Sequence, residues 1–198
     1  MDDHALLAML ERIGAVLKDG HFRYTSGKHG SEYVSKEVLI SRPGEMELLT
    51  IEMAERVKLL PIDTVVGPVV GGAILGERVA QHLGVRFAWA DKASGKSFEL
   101  REIFHNLVVG QNILIVEDVL NTGGSAEATA RAVEALGGKI VAVMAAVNRG
   151  GVSAEKLAVP KLFSLVDVNM EAVDPAECTL CERGMPFTTS VGHGKSAA

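Results

Sequence analysis

The chain has no run of basic residues, no long apolar stretch and few cysteines or aromatics, and each shortage removes a class of protein. Its 20 lysines and arginines are outnumbered by 25 acids, giving a formal charge of −5, and they are scattered. Nucleic-acid surfaces are built from basic patches, so no nucleic-acid partner is expected. The longest unbroken apolar run, Ile140 to Val147, falls far short of the roughly 20 residues a membrane-spanning helix needs, so no membrane is expected either. The first ten residues, MDDHALLAML, are acidic and helical in period, unlike a signal peptide. Only two cysteines occur, Cys178 and Cys181. A lone C-x-x-C cannot complete a four-ligand zinc site. It also lies late in the chain, away from the strand-to-helix turn that redox motifs occupy, so it reads as structural or solvated thiols. Sparse cysteine fits a reducing compartment, and the cytoplasm is the expected location. Two phosphate-binding signatures are missing: there is no G-x-x-x-x-G-K-[ST] and no G-x-G-x-x-G.

Hydrophobic residues make up 47% of the chain, aromatics only 5%, and there are 21 glycines. That combination favours α/β over all-β architecture. The pattern predicts a helix from Ala5 to Leu17, then short strands and turns from His21 to Ile40 around Ser26-Gly27-Lys28. A second helix is expected from Glu45 to Leu59, opened by Arg42-Pro43-Gly44. Strands are expected at Thr64 to Gly67, Arg86 to Ala90, Ser97 to Phe104, Ile113 to Val116, Ile140 to Val147 and Lys161 to Val168. Helices are expected from Gly71 to Leu83 and from Ser125 to Leu136, a polar loop from Asp91 to Ser97, and a frayed tail from Pro186. Strands that are apolar throughout and alternate with helices describe a mostly parallel sheet covered on both faces. Ligands in such sheets lie beyond the carboxyl ends of the strands, where two glycine turns leave, Gly67 to Gly72 and Thr122 to Ser125.

The second turn follows two adjacent acids, in Val116-Glu117-Asp118-Val119-Leu120-Asn121-Thr122-Gly123-Gly124-Ser125. Glycines let backbone amides approach a ligand. The helix after them adds unpaired N–H groups and a positive dipole end, each such contact contributing about 0.3–1 kcal/mol when exposed. Taken alone, the turn is as readily an ordinary strand-to-helix connection. The acids decide otherwise: two carboxylates at the end of a buried strand are costly unless something uses them. They are acceptors and suit the vicinal hydroxyls of a sugar, which makes a 5-phosphorylated ribose a sensible ligand. A metal is the rival use of paired acids.

These same residues resemble the phosphoribosyl-pyrophosphate (PRPP) motif of type I phosphoribosyltransferases. Gly20-His21-Phe22, Thr25-Ser26-Gly27-Lys28-His29, Tyr33 and Ser41-Arg42-Pro43 are similar to the start of the orotate phosphoribosyltransferase family, and Val65 to Gly72 to its pyrophosphate loop. The resemblance runs from about Leu6 to Phe187. It implies one domain over residues 1–198, with a small N-terminal hood formed by about residues 1–40 and the C-terminal segment. It implies joining of orotate to PRPP, giving orotidine 5′-monophosphate and pyrophosphate, for pyrimidine biosynthesis, with Mg2+ and without a protein metal cage. By the same resemblance Thr122, Gly123, Gly124 and Ser125 hold the 5′-phosphate, with Val119, Leu120 and Asn121 in the motif. Glu117 and Asp118 hold the ribose hydroxyls, and Gly71 and Gly72 the pyrophosphate. Lys28, Lys92, Lys96 and Asp118 are the implied catalytic groups, and Asn121, Arg149 and Lys28 the base-binding ones. A homodimer is implied too.

Two departures bear on specificity. Asn121 stands where the family usually has threonine, which leaves the choice of base open. The loop from Asp91 to Ser97 lacks the family's Lys-x-His-Gly, leaving Lys92, Lys96 and Arg101 as its cations. A transferase for another base, or a PRPP-binding regulator without turnover, are the alternatives. Taken singly, Lys28, Lys92 and Lys96 are ordinary surface lysines, and Arg149 beside Gly150-Gly151 is as readily a turn residue. His29, His82 and His193 are expected on the surface, and Trp89 and Phe98 in the core or an interface.

Overall fold

Four runs of aliphatic residues form the centre of the molecule, because a strand with helices on both faces must be apolar on both sides. The computed structural model describes residues 1–24, 26–95, 97–168 and 170–189. The chain begins with α1 (Asp3–Arg12), β1 (Val16–Leu17), β2 (Phe22–Arg23), β3 (His29–Gly30), β4 (Tyr33–Val34), α2 (Lys36–Ile40) and α3 (Pro43–Val57). The αβ body follows: β5 (Thr64–Pro68), α4 (Gly71–Leu83), β6 (Arg86–Lys92), β7 (Phe98–Glu99), α5 (His105–Val108), β8 (Asn112–Leu120) and α6 (Gly124–Ala135). It closes with β9 (Lys139–Asn148), β10 (Leu162–Asp167) and α7 (Thr179–Glu182).

The main sheet has six strands in the order β10-β9-β8-β5-β6-β7. All neighbours are parallel except the edge strand β7, which is antiparallel to β6. One face packs on α1, α3 and α4 through Leu6, Leu49, Met53 and Leu75; the other packs on α6 through Ala126, Ala130 and Val133. The order reverses between β5 and β8, so connections leave that crevice in opposite directions and open it to a ligand. Two small antiparallel pairs, β1 with β4 and β2 with β3, sit outside this sheet.

Several local expectations shift. The first helix stops at Arg12 rather than Leu17, because Gly14 takes a left-handed φ of 76° and the next residues pair as β1 with β4. Residues 36–40 are helical where turns were expected; the Ser35 hydroxyl accepts from Val38 N at 3.4 Å. Asp91 and Lys92 belong to β6, not to a loop, and of Ser97 to Phe104 only Phe98–Glu99 is strand, before a 3-10 turn. β8 runs past Val116 through both acids to Leu120. Of the tail expected to fray from Pro186, residues 186–189 are held, with Thr188 N donating to His21 O at 2.7 Å, and residues 190–198 lie outside the described residues. His29 is buried, against the surface expectation, and His82 is half-buried beside Thr50 Oγ1, at 3.2 Å. Phe98 is half-buried against the core, and Trp89 is half-buried in edge contact with Phe104. Lys96 and His193 lie outside the described residues. No helix among those residues is long and apolar enough to cross a membrane.

Candidate functional site

The acids stay in register because β8 keeps pairing with β9 on one edge: Glu117 lies opposite Ala145 and Val119 opposite Val147. On the other edge, pairing with β5 ends at Val66 and Ile115. The first turn of α4 fills the gap. A Cβ on Gly71 would run into Asp118 Oδ2, and one on Gly72 would lie 2.7 Å from Val116 O and 3.1 Å from Glu117 Oε1. Only glycine lets the N-terminus of α4 come this close to the two carboxylates.

Glu117 and Asp118 are each 6% exposed. Glu117 Oε1 accepts from Asp118 N at 3.1 Å, and Asp118 Oδ1 from Val119 N at 2.6 Å. Asp118 Oδ2 is buried with no hydrogen-bond donor, and the Lys36 ammonium stands 4.0 Å away. Burial, and then the charge of Asp118, push the Glu117 carboxyl well above the usual carboxylate range. A buried acceptor without a donor is costly, so this oxygen is set up to receive one from a ligand.

Beyond the strand, Gly123 turns with φ 84° and leads into α6 with no side-chain cap. A Cβ there would meet Leu157 at 2.6 Å. Gly124 N donates to Thr122 Oγ1 at 3.4 Å, and the start of α6 borders a hollow of about 90 Å³ bounded by Glu117 and by Val119 to Ser125. That is the amide cradle an anion needs. The magnitude of one such contact is modest, so tight binding of an anion there needs several amides at once.

A larger cleft of about 230 Å³ joins this hollow and is lined by Glu117, Asp118, Val119, Asn121, Ser125, Lys92 and Arg149. Arg149 Cζ stands 4.8 Å over the Tyr24 ring, a cation–π contact that holds the guanidinium at the rim. Its backbone N donates to Leu120 O at 2.9 Å. The next residues are fixed by Asn148, whose amide exchanges two 3.0 Å hydrogen bonds with the Val152 backbone. Gly150 packs so close to Asn121 O that no side chain fits there, which keeps Asn121 and Arg149 side by side.

The structure thus gathers Glu117, Asp118, the 119–125 turn, Gly71, Gly72, Lys92 and Arg149. Lys28 is not among the cleft residues; it sits in the β2–β3 turn with Nζ 3.8 Å from Asp174 Oδ2. Lys36, Arg23 and Tyr24 line the cleft and were missed as site residues, and Tyr33 was noted only as part of the resemblance. Lys36 follows Ser35, a good helix cap, which was the available signal. Beside the acids the Val69–Val70 peptide is cis. Among the described residues the cleft acids form no group able to cage a metal.

A phosphoribosyl transferase domain matches residues 53–177. A curated orotate phosphoribosyltransferase of Desulforamulus reducens is 37% identical over 186 residues, covering 94% of this chain and 95% of its own. Another from Sulfurovum is 38% identical over 181 residues, covering 85% and 89%. Among solved structures, the orotate phosphoribosyltransferase of Aeropyrum pernix superposes with a TM-score of 0.67 at 21% identity, over 82% of this chain and 93% of that one. The adenine phosphoribosyltransferase of Thermoanaerobacter pseudethanolicus gives 0.63 at 21% identity, over 80% and 99%. Those two likenesses show the fold.

Proposed function

The chain belongs to the orotate phosphoribosyltransferase family, and from that premise we propose that it joins orotate to PRPP, releasing pyrophosphate and orotidine 5′-monophosphate in pyrimidine biosynthesis. The observation that carries this reading is Asp118 Oδ2, a buried acceptor without a donor, one turn away from an amide cradle. The 5′-phosphate fits the cradle from Thr122 to Ser125. The ribose hydroxyls then donate to Asp118 Oδ2 and reach Glu117. Gly71 and Gly72, at the start of α4, offer amides to the pyrophosphate. Arg149 and Asn121 stand side by side in the cleft and meet the base, with the guanidinium suited to an anionic planar ring substituent.

In the reaction the bond from the ribose anomeric carbon to pyrophosphate breaks, and a ring nitrogen of the base bonds to that carbon. Positive charge builds on the ribose and negative charge on the leaving group. The carboxylates of Asp118 and Glu117 lie on the sugar side of that separation. Lys92 and Lys96 are the cations we assign to the leaving group; Lys28 pairs with Asp174 outside the cleft. Bound Mg2+ would supply charge neutralisation on the pyrophosphate, with Asp118 and Glu117 the nearest acids of this chain. Catalysis on this plan is positioning and electrostatics rather than proton abstraction.

We read the chain as a single domain whose hood is residues 1–40 with the C-terminal segment, acting in the cytoplasm. A homodimer is supported by an apolar groove in which Val70 is 64% exposed beside Met46, Ile74 and Trp89. Asn121 lines the cleft, so another base remains the specific competitor. The test follows orotate absorbance with PRPP and Mg2+, with uracil, adenine and hypoxanthine beside it. Orotate loss abolished in Asp118→Asn and Arg149→Ala supports the reading. Consumption of another base alone overturns orotate, and PRPP binding without turnover of any base overturns the enzyme.

A further inference from the structure

One cluster lies outside the phosphoribosyl cleft and has no part in the proposed reaction. His21, His29, Cys178 and Cys181 each point one ligand atom into a common space, all four atoms within 4.8 Å of one another. The chain folds to make this cluster. Arg23 pairs with His29 across the β2–β3 hairpin, so His21 and His29 are diagonal neighbours on one face of it. Cys178 and Cys181 lie at the start of α7 with the C-x-x-C spacing of a metal knuckle. The two segments are joined where His29 and Val173 exchange backbone hydrogen bonds of 2.9 Å.

We propose that these four side chains form a tetrahedral Zn2+ site, independent of the transferase reading, that fastens the C-terminal segment to the hood. Distances carry the argument first. Zinc–sulfur bonds of about 2.3 Å and zinc–nitrogen bonds of about 2.0–2.1 Å at a tetrahedral angle place sulfur and nitrogen about 3.6 Å apart. His21 Nε2 lies 3.5 Å from Cys178 Sγ and 3.6 Å from Cys181 Sγ, and Cys181 Sγ lies 3.3 Å from His29 Nδ1.

The tautomer of His21 agrees. Its Nδ1 is 2.7 Å from Met185 O, and a carbonyl only accepts, so Nδ1 carries the proton. Nε2 is therefore the lone-pair nitrogen, and it is the one that faces both sulfurs. A single lone pair cannot accept from two thiols at once, whereas one ion between all three satisfies them. A histidine ligand whose other nitrogen donates to a backbone carbonyl is the usual supporting arrangement at metal sites.

Burial agrees as well. His21 is 1% exposed, His29 5% and Cys178 2%. Phe187 lies against the two imidazoles, with centroids 4.1 and 4.9 Å away, and screens them from solvent. Thiolate and imidazole ligands in this geometry select zinc over magnesium or calcium. Four protein ligands leave no open position, so the ion is structural and not catalytic. It holds the hairpin whose Tyr24 stacks on Arg149 and the segment whose Asp174 faces Lys28.

The test is elemental analysis of untagged full-length protein purified without chelator, with zinc-edge X-ray absorption on the same sample. We expect one zinc per chain with two sulfur and two nitrogen neighbours, and loss of that zinc in Cys178→Ser and Cys181→Ser. Should those variants fail to fold, Co2+ added to metal-stripped wild type must give the intense visible bands of a tetrahedral thiolate site. Zinc well below one per chain with no cobalt bands overturns the proposal. So does a metal shell without sulfur, or a mass showing Cys178 and Cys181 joined as a disulfide.

Discussion

Asp118 Oδ2 occupies the space a side chain on Gly71 would need, although the two residues come from different strand-to-helix units. The contact explains the glycine, and it gives the first prediction. Gly71→Ala forces the carboxylate or α4 to move, an overpacking cost of about 1–3 kcal/mol. Thermal unfolding should show a lower Tm, and calorimetry should show weaker PRPP binding. An unchanged affinity would mean that the start of α4 does not meet the ligand.

Asp118→Asn keeps the shape and removes the charge. Hydrogen bonds to charged groups contribute about 1.5–3 kcal/mol, which is roughly 10- to 100-fold in PRPP affinity. The ligand-free variant should melt no lower than wild type, because removing a buried, weakly compensated charge offsets the loss of its 4.0 Å contact to Lys36. A lower Tm with normal PRPP binding would make Asp118 a structural residue only.

Glu117 makes stability depend on pH. Its folded carboxyl is raised above the ordinary value of 4.5, chiefly by burial. Below that value both folded and unfolded chains hold the proton, and the stabilising contribution is fully present. Above it the unfolded chain releases the proton first, so the folded state holds more protons and stability falls as pH rises through the folded pKa. The slope is at most about 1.4 kcal/mol per pH unit in that window. Glu117→Gln cannot titrate, so wild type should lose Tm relative to the variant as pH rises from 4.5. Parallel Tm curves would contradict the burial effect.

Arg149 is held at the rim by Tyr24, so its effect should fall on the base and not on PRPP. Arg149→Ala should raise the orotate KM by roughly tenfold or more with PRPP affinity intact. Arg149→Lys should not restore it, because an ammonium can neither present a planar fork nor stack as well on the Tyr24 ring. Equal effects on both substrates would place Arg149 outside the base site.

Gly123 tests the anion cradle. Its φ of 84° disfavours any side chain, and Leu157 blocks the Cβ position. Gly123→Ala should lower stability by about 1–3 kcal/mol and weaken phosphate binding, read by Tm and by phosphate titration. Binding that survives while Tm falls would show that the cradle tolerates a shift of its own turn.

The parts of this protein that the sequence determined are those set by local rules. α4 and the sheet's central strands fall at or within a few residues of their expected ends, because apolar runs and glycine stops act within a few neighbours. The glycine turn at Thr122 to Ser125 and the helix after it were legible for the same reason. Tertiary structure alone decided the rest. The reach of β8 through Glu117 and Asp118 depends on β9 beside it. The shortened α1 depends on β4, and Lys36 enters the cleft only once α2 is placed. His29 was read as a surface residue, and the C-x-x-C as structural or solvated thiols. His21 Nε2 meets Cys178 Sγ across 157 positions of chain. No local pattern encodes that meeting; it arises when a hairpin and a C-terminal segment pack together, because contact between distant segments depends on the whole fold and not on neighbours in sequence.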